Sequence, residues 1–259
     1  MRLSRVGEAT AKVASDFGKH FAYQRVVSPP ASRAFVRAIA NTIHDTRTLS
    51  GWTTKRIKNV TLEEFCPSIE RMAFSIEVPP RETYELPLIE LVHLGAMLRY
   101  FRPMSVFEIG TFKGRTTRLL AEMTDNCTCI YTLDLPPAEV KRGGYFSDRE
   151  GELIGQDVQE SSCREKITQL YGNSRKFDFS PFYGQMDFVF IDGDHSYEGV
   201  KSDTQNALRM IRPGGVIVWD DYSERHTPGV VQCLEELSVV IEVFRLAGTR
   251  FGCHRAKTP

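Results

Sequence analysis

The stretch Phe107-Glu108-Ile109-Gly110-Thr111-Phe112-Lys113-Gly114-Arg115-Thr116-Thr117 decides the fold. A short apolar run over 105–109 enters a loop with two glycines and passes at once into a helical pattern near 115–124. Strand, glycine turn and helix in that order build the ligand-facing corner of an open parallel sheet, where small molecules bind beyond the carboxyl ends of the strands. A phosphate-cradling loop needs four residues between its glycines and then Lys and Ser or Thr. Here three residues intervene and Arg115 follows. A dinucleotide loop needs glycines at relative positions 1, 3 and 6, but Phe112 and Arg115 occupy the last two. The remaining readings are a loop that receives a ligand without phosphates, with the Glu108 carboxylate facing a cation, and a plain tight strand-to-helix turn.

The flanking sequence sustains the sheet. Apolar runs at 128–133, 167–171, 186–191 and 216–219 follow, with helical stretches near 196–211 and 229–237. Runs apolar on both faces, alternating with helices, signal a parallel sheet covered on both sides. Two last runs, 239–246 and 249–254, are joined by only Ala247-Gly248, too short for a parallel crossover, so they pair antiparallel. Upstream, a helix over about 84–101 is stopped by Pro103. The expected fold is α/β: a doubly wound, mainly parallel seven-stranded sheet ending in an antiparallel hairpin, with an N-terminal helical extension. The expected division is 1–83, an extension serving as lid or oligomer contact, and 84–259, the ligand-binding domain. Residues 135–160, rich in Pro, Gly and charge, are too long for a plain loop and read as a lid or substrate insertion.

The second run ends at Asp134, 20 positions past Gly114. An acidic residue at that distance, on the next strand end, suits two ribose hydroxyls. Glu108, Gly110, Thr111, Gly114, Thr116 and Asp134 together describe a nucleoside site without phosphates. Here the sequence resembles the class I S-adenosylmethionine-dependent methyltransferases, whose loop is typically E-x-G-x-x-x-G. The resemblance covers roughly 85–254 and implies that Glu108, Gly110 and Gly114 line the methionine and sulfonium part, and Asp134 the ribose. It puts Ser174, after the third strand, near adenine, with Asp178 as the alternative there.

Two further strand ends are acidic: Asp192-Gly193-Asp194-His195 after the fourth strand and Asp220-Asp221 after the fifth. Neighbouring strands bring both sets to one sheet edge, and clustered carboxylates call for a hard divalent cation such as Mg2+. A capping Asp for the helix opening at Ser196, or a solvated acidic loop, is the plainer account. These motifs are similar to those of the metal-dependent small-molecule O-methyltransferases, most closely the bacterial group acting on sugar hydroxyls of macrolide and aminocoumarin antibiotics. That resemblance implies metal ligands at Asp192, Asp220 and Asp221, with Asp192 also beside the cofactor. It implies a catalytic base at Asp194 and a hydroxylated small-molecule acceptor; His195, whose unperturbed pKa near ~6.5 suits a base, is the second choice, or it caps the following helix. The Asn and Lys of catechol-type relatives are absent at the positions of Asp221 and His195. Two other functions compete: a metal-dependent oxygenase on the same fold, and a non-catalytic S-adenosylmethionine-binding partner protein.

The 259 residues carry no net charge, 33 basic against 33 acidic. The zero is a cancellation. Residues 1–60 hold 11 Lys or Arg against Glu8, Asp16 and Asp45, a balance of +8, so the rest carries −8. Polyanion binding, nucleic acid included, is thus disfavoured for the domain but not for the arm. Leu3, Val6, Val13, Phe17 and Phe21 recur at helical steps. Phe17, Phe21 and Phe35 suit packing in a homo-oligomer more than lying on a membrane. No stretch approaches the ~20 apolar residues of a membrane span, and six sparse cysteines read as reduced thiols. Both point to a cytoplasmic protein.

Overall fold

In a computed structural model, residues 57–76, 85–143, 153–159, 161–223 and 225–258 are described. The basic arm over 1–56, with its expected oligomer or membrane contact, lies outside them.

Among the described residues eight strands form one sheet: β1 (Lys58–Val60), β2 (Ser105–Ile109), β3 (Cys129–Asp134), β4 (Ile167–Tyr171), β5 (Met186–Ile191), β6 (Ile211–Trp219), β7 (Phe244–Leu246) and β8 (Gly252–Arg255). Their order across the sheet is β1-β7-β8-β6-β5-β2-β3-β4. All neighbouring pairs are parallel except those of β8, which runs antiparallel to both β6 and β7. The parallel core and its terminal hairpin match the expected architecture. The expected seven strands become eight because Lys58–Val60 pairs with Phe244–Leu246, so the sheet reaches N-terminal of residue 84. A three-residue strand with one buried side chain is too short for sequence periodicity to reveal. The strand expected over 239–246 shrinks to its last three residues, and Val239 and Val240 lie exposed in a turn.

The helices are α1 (Leu62–Phe65), α2 (Leu88–Phe101), α3 (Arg115–Glu122), α4 (Pro137–Gly143), α5 (Gln156–Gln159), α6 (Tyr197–Met210) and α7 (Pro228–Leu237). Strand alternation sends Val106, Ile130, Phe188, Phe190 and Val218 to one face, under Leu91, Leu94 and Leu98 of α2 and Leu119 and Leu120 of α3. Phe107, Ile109, Val189, Ile191 and Ile217 face the other side, under Val200 and Met210 of α6 and Val231 and Leu234 of α7. Burying both faces is what the unbroken apolar runs require. Among the described residues no helix is long and apolar enough to cross a membrane, and all six cysteines are free.

Strand order reverses between β2 and β5, so their carboxyl ends open the crevice that such sheets use for ligands. The ladder continues past the strands there. Asp192 donates its backbone N–H to Ile109 (2.8 Å), and Asp220 to Ile191 (2.9 Å).

Candidate functional site

The glycine loop sits in the crevice because nothing larger fits. Gly110 has φ +101°, and a Cβ there would stand 1.9 Å from the carbonyl oxygen of Asp192. Gly114 has φ +92°, and its Cβ would stand 2.5 Å from a methyl of Val158 on α5. The end of the 135–160 insertion is thus laid on the loop. Gly155 donates to the Phe112 carbonyl (2.7 Å), and Asp157 to that of Lys113 (2.8 Å).

Glu108 is fully buried on β2. Its Oε2 accepts from the hydroxyl of Thr132 (2.6 Å), its register neighbour on β3, and from that of Thr117 on α3. Its Oε1 is buried without a hydrogen-bond partner among the described residues. Burial pushes the Glu108 carboxyl up to about 8, against the pull of both threonine hydroxyls. A buried carboxylate with one oxygen free suits a cationic neighbour, which would repay the desolvation.

Asp134 stands at the expected strand end, and both of its oxygens are bonded within the protein. Oδ2 accepts the backbone N–H of Thr111 (2.9 Å) and of Phe112 (2.7 Å), and Oδ1 that of Leu135 (2.6 Å). The residue therefore shapes the glycine loop, an interaction that its distance from Gly114 does not reveal. Thr111 is buried, bonded to Thr132 (2.7 Å) and Gln169 (3.0 Å). Thr116 is half-buried one position before the residue that binds Glu108. The hydroxyl of Ser174 favours the ionised form of Asp203, a buried carboxyl of α6 that burial pushes up to about 6. The alternative, Asp178, is exposed and accepts from the Ser180 backbone (2.9 Å).

The acidic cluster assembles as the strand ends imply, though with a different membership. Asp192, His195 and Asp221 bring ligand atoms within 4.8 Å of one another. Nε2 of His195 lies 3.5 Å from Asp192 Oδ1 and 3.3 Å from Asp221 Oδ2. The bond to Asp192 holds the His195 pKa above its ordinary value, against burial. Burial pushes the Asp192 carboxyl up. Asp220 is only 5% exposed and raised well above the usual range by burial and then by the charge of Asp221. Its Oδ1 accepts the backbone N–H of Asp221 (2.7 Å), so it braces the turn. A cavity of about 10 Å³, room for one water, is lined in part by Asp192, His195, Trp219 and Asp220. Two carboxylates and one imidazole at these separations could hold a divalent cation, the oxygens suiting Mg2+ or Mn2+ and the imidazole a first-row transition metal. Asp194 is exposed, and its oxygens accept the backbone N–H (2.9 Å) and hydroxyl (2.8 Å) of Ser196, the N-cap of α6. His226 is exposed and bonded to Ser223 (3.1 Å).

Sequence reasoning missed the cation already built in. Arg250, between β7 and β8, bonds Asp221 Oδ1, lies 3.8 Å from Asp220 Oδ2 and is clamped by the buried Glu90 of α2. The two lie 160 positions apart, so only the fold joins them. Thr117 and Thr132 were legible in principle, since Thr132 shares the register of Glu108.

A methyltransferase-domain family model matches residues 107–222, which run from the glycine-loop strand to just past Asp221. An uncharacterized protein, R132 of Acanthamoeba polyphaga mimivirus, is 32% identical over 163 residues, covering 60% of this chain and 70% of that protein. Cofactor-bound Rv0187 from MTB aligns with TM-score 0.55 at 15% identity, over 95% of this chain and 97% of its own. The O-methyltransferase TomG from Streptomyces achromogenes, involved in tomaymycin synthesis and solved with SAM, aligns with TM-score 0.51 at 16% identity, over 78% and 92%. At such identities these two structures speak for the fold. With its sheet order, its glycine loop and the matched domain, the chain belongs to the methyltransferase-domain family and is a class I S-adenosylmethionine-dependent methyltransferase.

Proposed function

We propose that the protein transfers a methyl group from S-adenosylmethionine to a hydroxyl of a small molecule, with a divalent cation, Mg2+ or similar, at the acidic cluster. The carrying observation is the convergence of Asp192, His195 and Asp221 at the strand ends next to the glycine loop. The names of similar structures agree, since TomG and a Bacillus cereus protein solved with SAH are both O-methyltransferases. The resemblance of the Asp220-Asp221 motif to that of the sugar-modifying O-methyltransferases supports a glycosylated natural product as the acceptor class.

S-adenosylmethionine supplies a methyl group on a sulfonium. Gly110 and Gly114 let the loop that would border it pack closely on Asp192 and Val158, and the free oxygen of Glu108 provides the counter-charge. Thr111, Thr116, Asp134 and Ser174 border the nucleoside part. Asp192, His195 and Asp221 would hold the cation, which supplies Lewis acidity that lowers the pKa of a hydroxyl. Asp194 takes the hydroxyl proton. Its two bonds to Ser196 orient the carboxylate without exhausting its roughly four lone-pair sites. Positioning does the rest, and holding two reactants in register contributes ~7–11 kcal/mol. The donor set has one imidazole, not the two that non-haem iron oxygenases use with one carboxylate, so the oxygenase reading is the weaker.

The test is transfer of a labelled methyl from S-adenosylmethionine to a panel of hydroxylated and glycosylated compounds, with and without chelator. Labelled ether product that disappears with chelator and returns with Mg2+ supports the reading. Transfer indifferent to chelator removes the cation, and oxygen uptake with iron and reductant would replace methyl transfer by hydroxylation.

A further inference from the structure

Asp221 is held at every polar atom but one. Its φ is +58°, a left-handed conformation that a non-glycine residue adopts only when its surroundings impose it. Its N–H donates to Asp220 (2.7 Å), its carbonyl accepts the hydroxyl of Thr227, and its Oδ1 accepts from Nη1 of Arg250. Only Oδ2 is turned toward His195, 3.3 Å away. The same guanidinium is gripped from behind. Glu90, 1% exposed in the first turn of α2, accepts the backbone N–H of Arg250 (2.7 Å) and its Nε (3.1 Å) at Oε1, and Nη2 (2.8 Å) at Oε2.

A planar fork with five donors can serve two carboxylates on opposite sides at once; an ammonium is a single point. The geometry points to Arg250 as a positioning residue for the cation site: clamped by Glu90, it fixes Asp221 so that Oδ2 faces Asp192 and His195. This rests on the proposed cation reading and goes beyond it, because neither Arg250 nor Glu90 would touch the ion. Partners that orient a ligand from behind typically govern metal affinity by 10–100-fold. The arrangement also ties the start of α2 to the site.

Mn2+ titration of the full chain by calorimetry tests it, with thermal melting alongside. Arg250→Lys keeps the charge but cannot span Glu90 and Asp221, so Mn2+ affinity is expected to fall ~10–100-fold while a cooperative melt persists. Arg250→Met is expected to bind more weakly as well, although it removes a nearby positive charge. If Arg250→Lys binds within about twofold of wild type, or Arg250→Met binds more tightly, Arg250 serves only charge balance and the inference is overturned. Should both variants fail to fold, Glu90→Gln carries the test, with the same loss expected and wild-type affinity overturning it. Wild-type protein that takes up no Mn2+ overturns the cation reading itself, and this inference with it, a result distinct from a failure confined to the variants.

Discussion

Nε2 of His195 stands 3.3 Å from Oδ2 of Asp221, although 26 positions and a strand crossover separate the two residues. Neither residue has that neighbour without the pairing of β5 with β6, which sets their strand ends side by side. The contact predicts interdependence. His195→Ala and Asp221→Asn should each weaken Mn2+ binding at least ~10-fold. The double variant should cost less than the sum of the two, since residues sharing one site are not additive. Calorimetric titration of the three variants checks this, and additive losses would place the residues in separate sites.

Gly110 carries the steepest structural penalty. A methyl there meets the carbonyl oxygen of Asp192, which is backbone and cannot swing away, and the φ of +101° is strained for any other residue. Gly110→Ala should cost about 3 kcal/mol or more. Gly114→Ala carries the same kind of backbone strain, at φ +92°, but its hardest contact is a methyl of Val158 at 2.5 Å, with the Val158 backbone nitrogen at 3.3 Å, so it should cost less than Gly110→Ala. Denaturant unfolding of both variants gives the comparison, and equal losses would contradict it.

Asp134 should act first on the loop. Asp134→Ala strands the backbone donors of Thr111 and Phe112, a loss of about 1–3 kcal/mol per unsatisfied buried group. S-adenosylhomocysteine affinity should fall along with stability. A variant that loses affinity while melting like wild type would return Asp134 to a direct ribose contact alone.

Glu108 sets a pH dependence of known sign. Its folded pKa, about 8, lies above its ordinary 4.5, so the native state binds the extra proton. Its contribution to stability is complete below 4.5 and is lost as pH rises through about 8. Glu108→Gln, a neutral isostere, should therefore gain stability relative to wild type between pH 5 and pH 9. Melting temperatures at the two ends measure it, and a difference constant with pH would show that Glu108 is ionised throughout.

Much of this was legible because apolar runs and glycine spacing act locally. Ser105–Ile109 and Met186–Ile191 announce themselves as apolar runs and the helix from Tyr197 by its period, and the Ala247-Gly248 connection forces an antiparallel pair. The acidic cluster was legible as composition but not as geometry. Which carboxylate faces inward depends on Arg250 and Glu90, whose meeting is a tertiary event with no local signal. The same holds for Asp134, whose position marks a strand end but whose partners are decided by the path of the loop. The β1 strand was invisible because three residues cannot display a period.

The central claim is that the crevice between β2 and β5 takes a nucleoside-bearing sulfonium cofactor, and titration of S-adenosylhomocysteine into the full chain tests it most directly. The account predicts one site per chain with a Kd on the order of micromolar, ~8 kcal/mol of binding free energy, weakened at least tenfold in Glu108→Ala. Absence of binding at millimolar ligand by protein that melts cooperatively would contradict it.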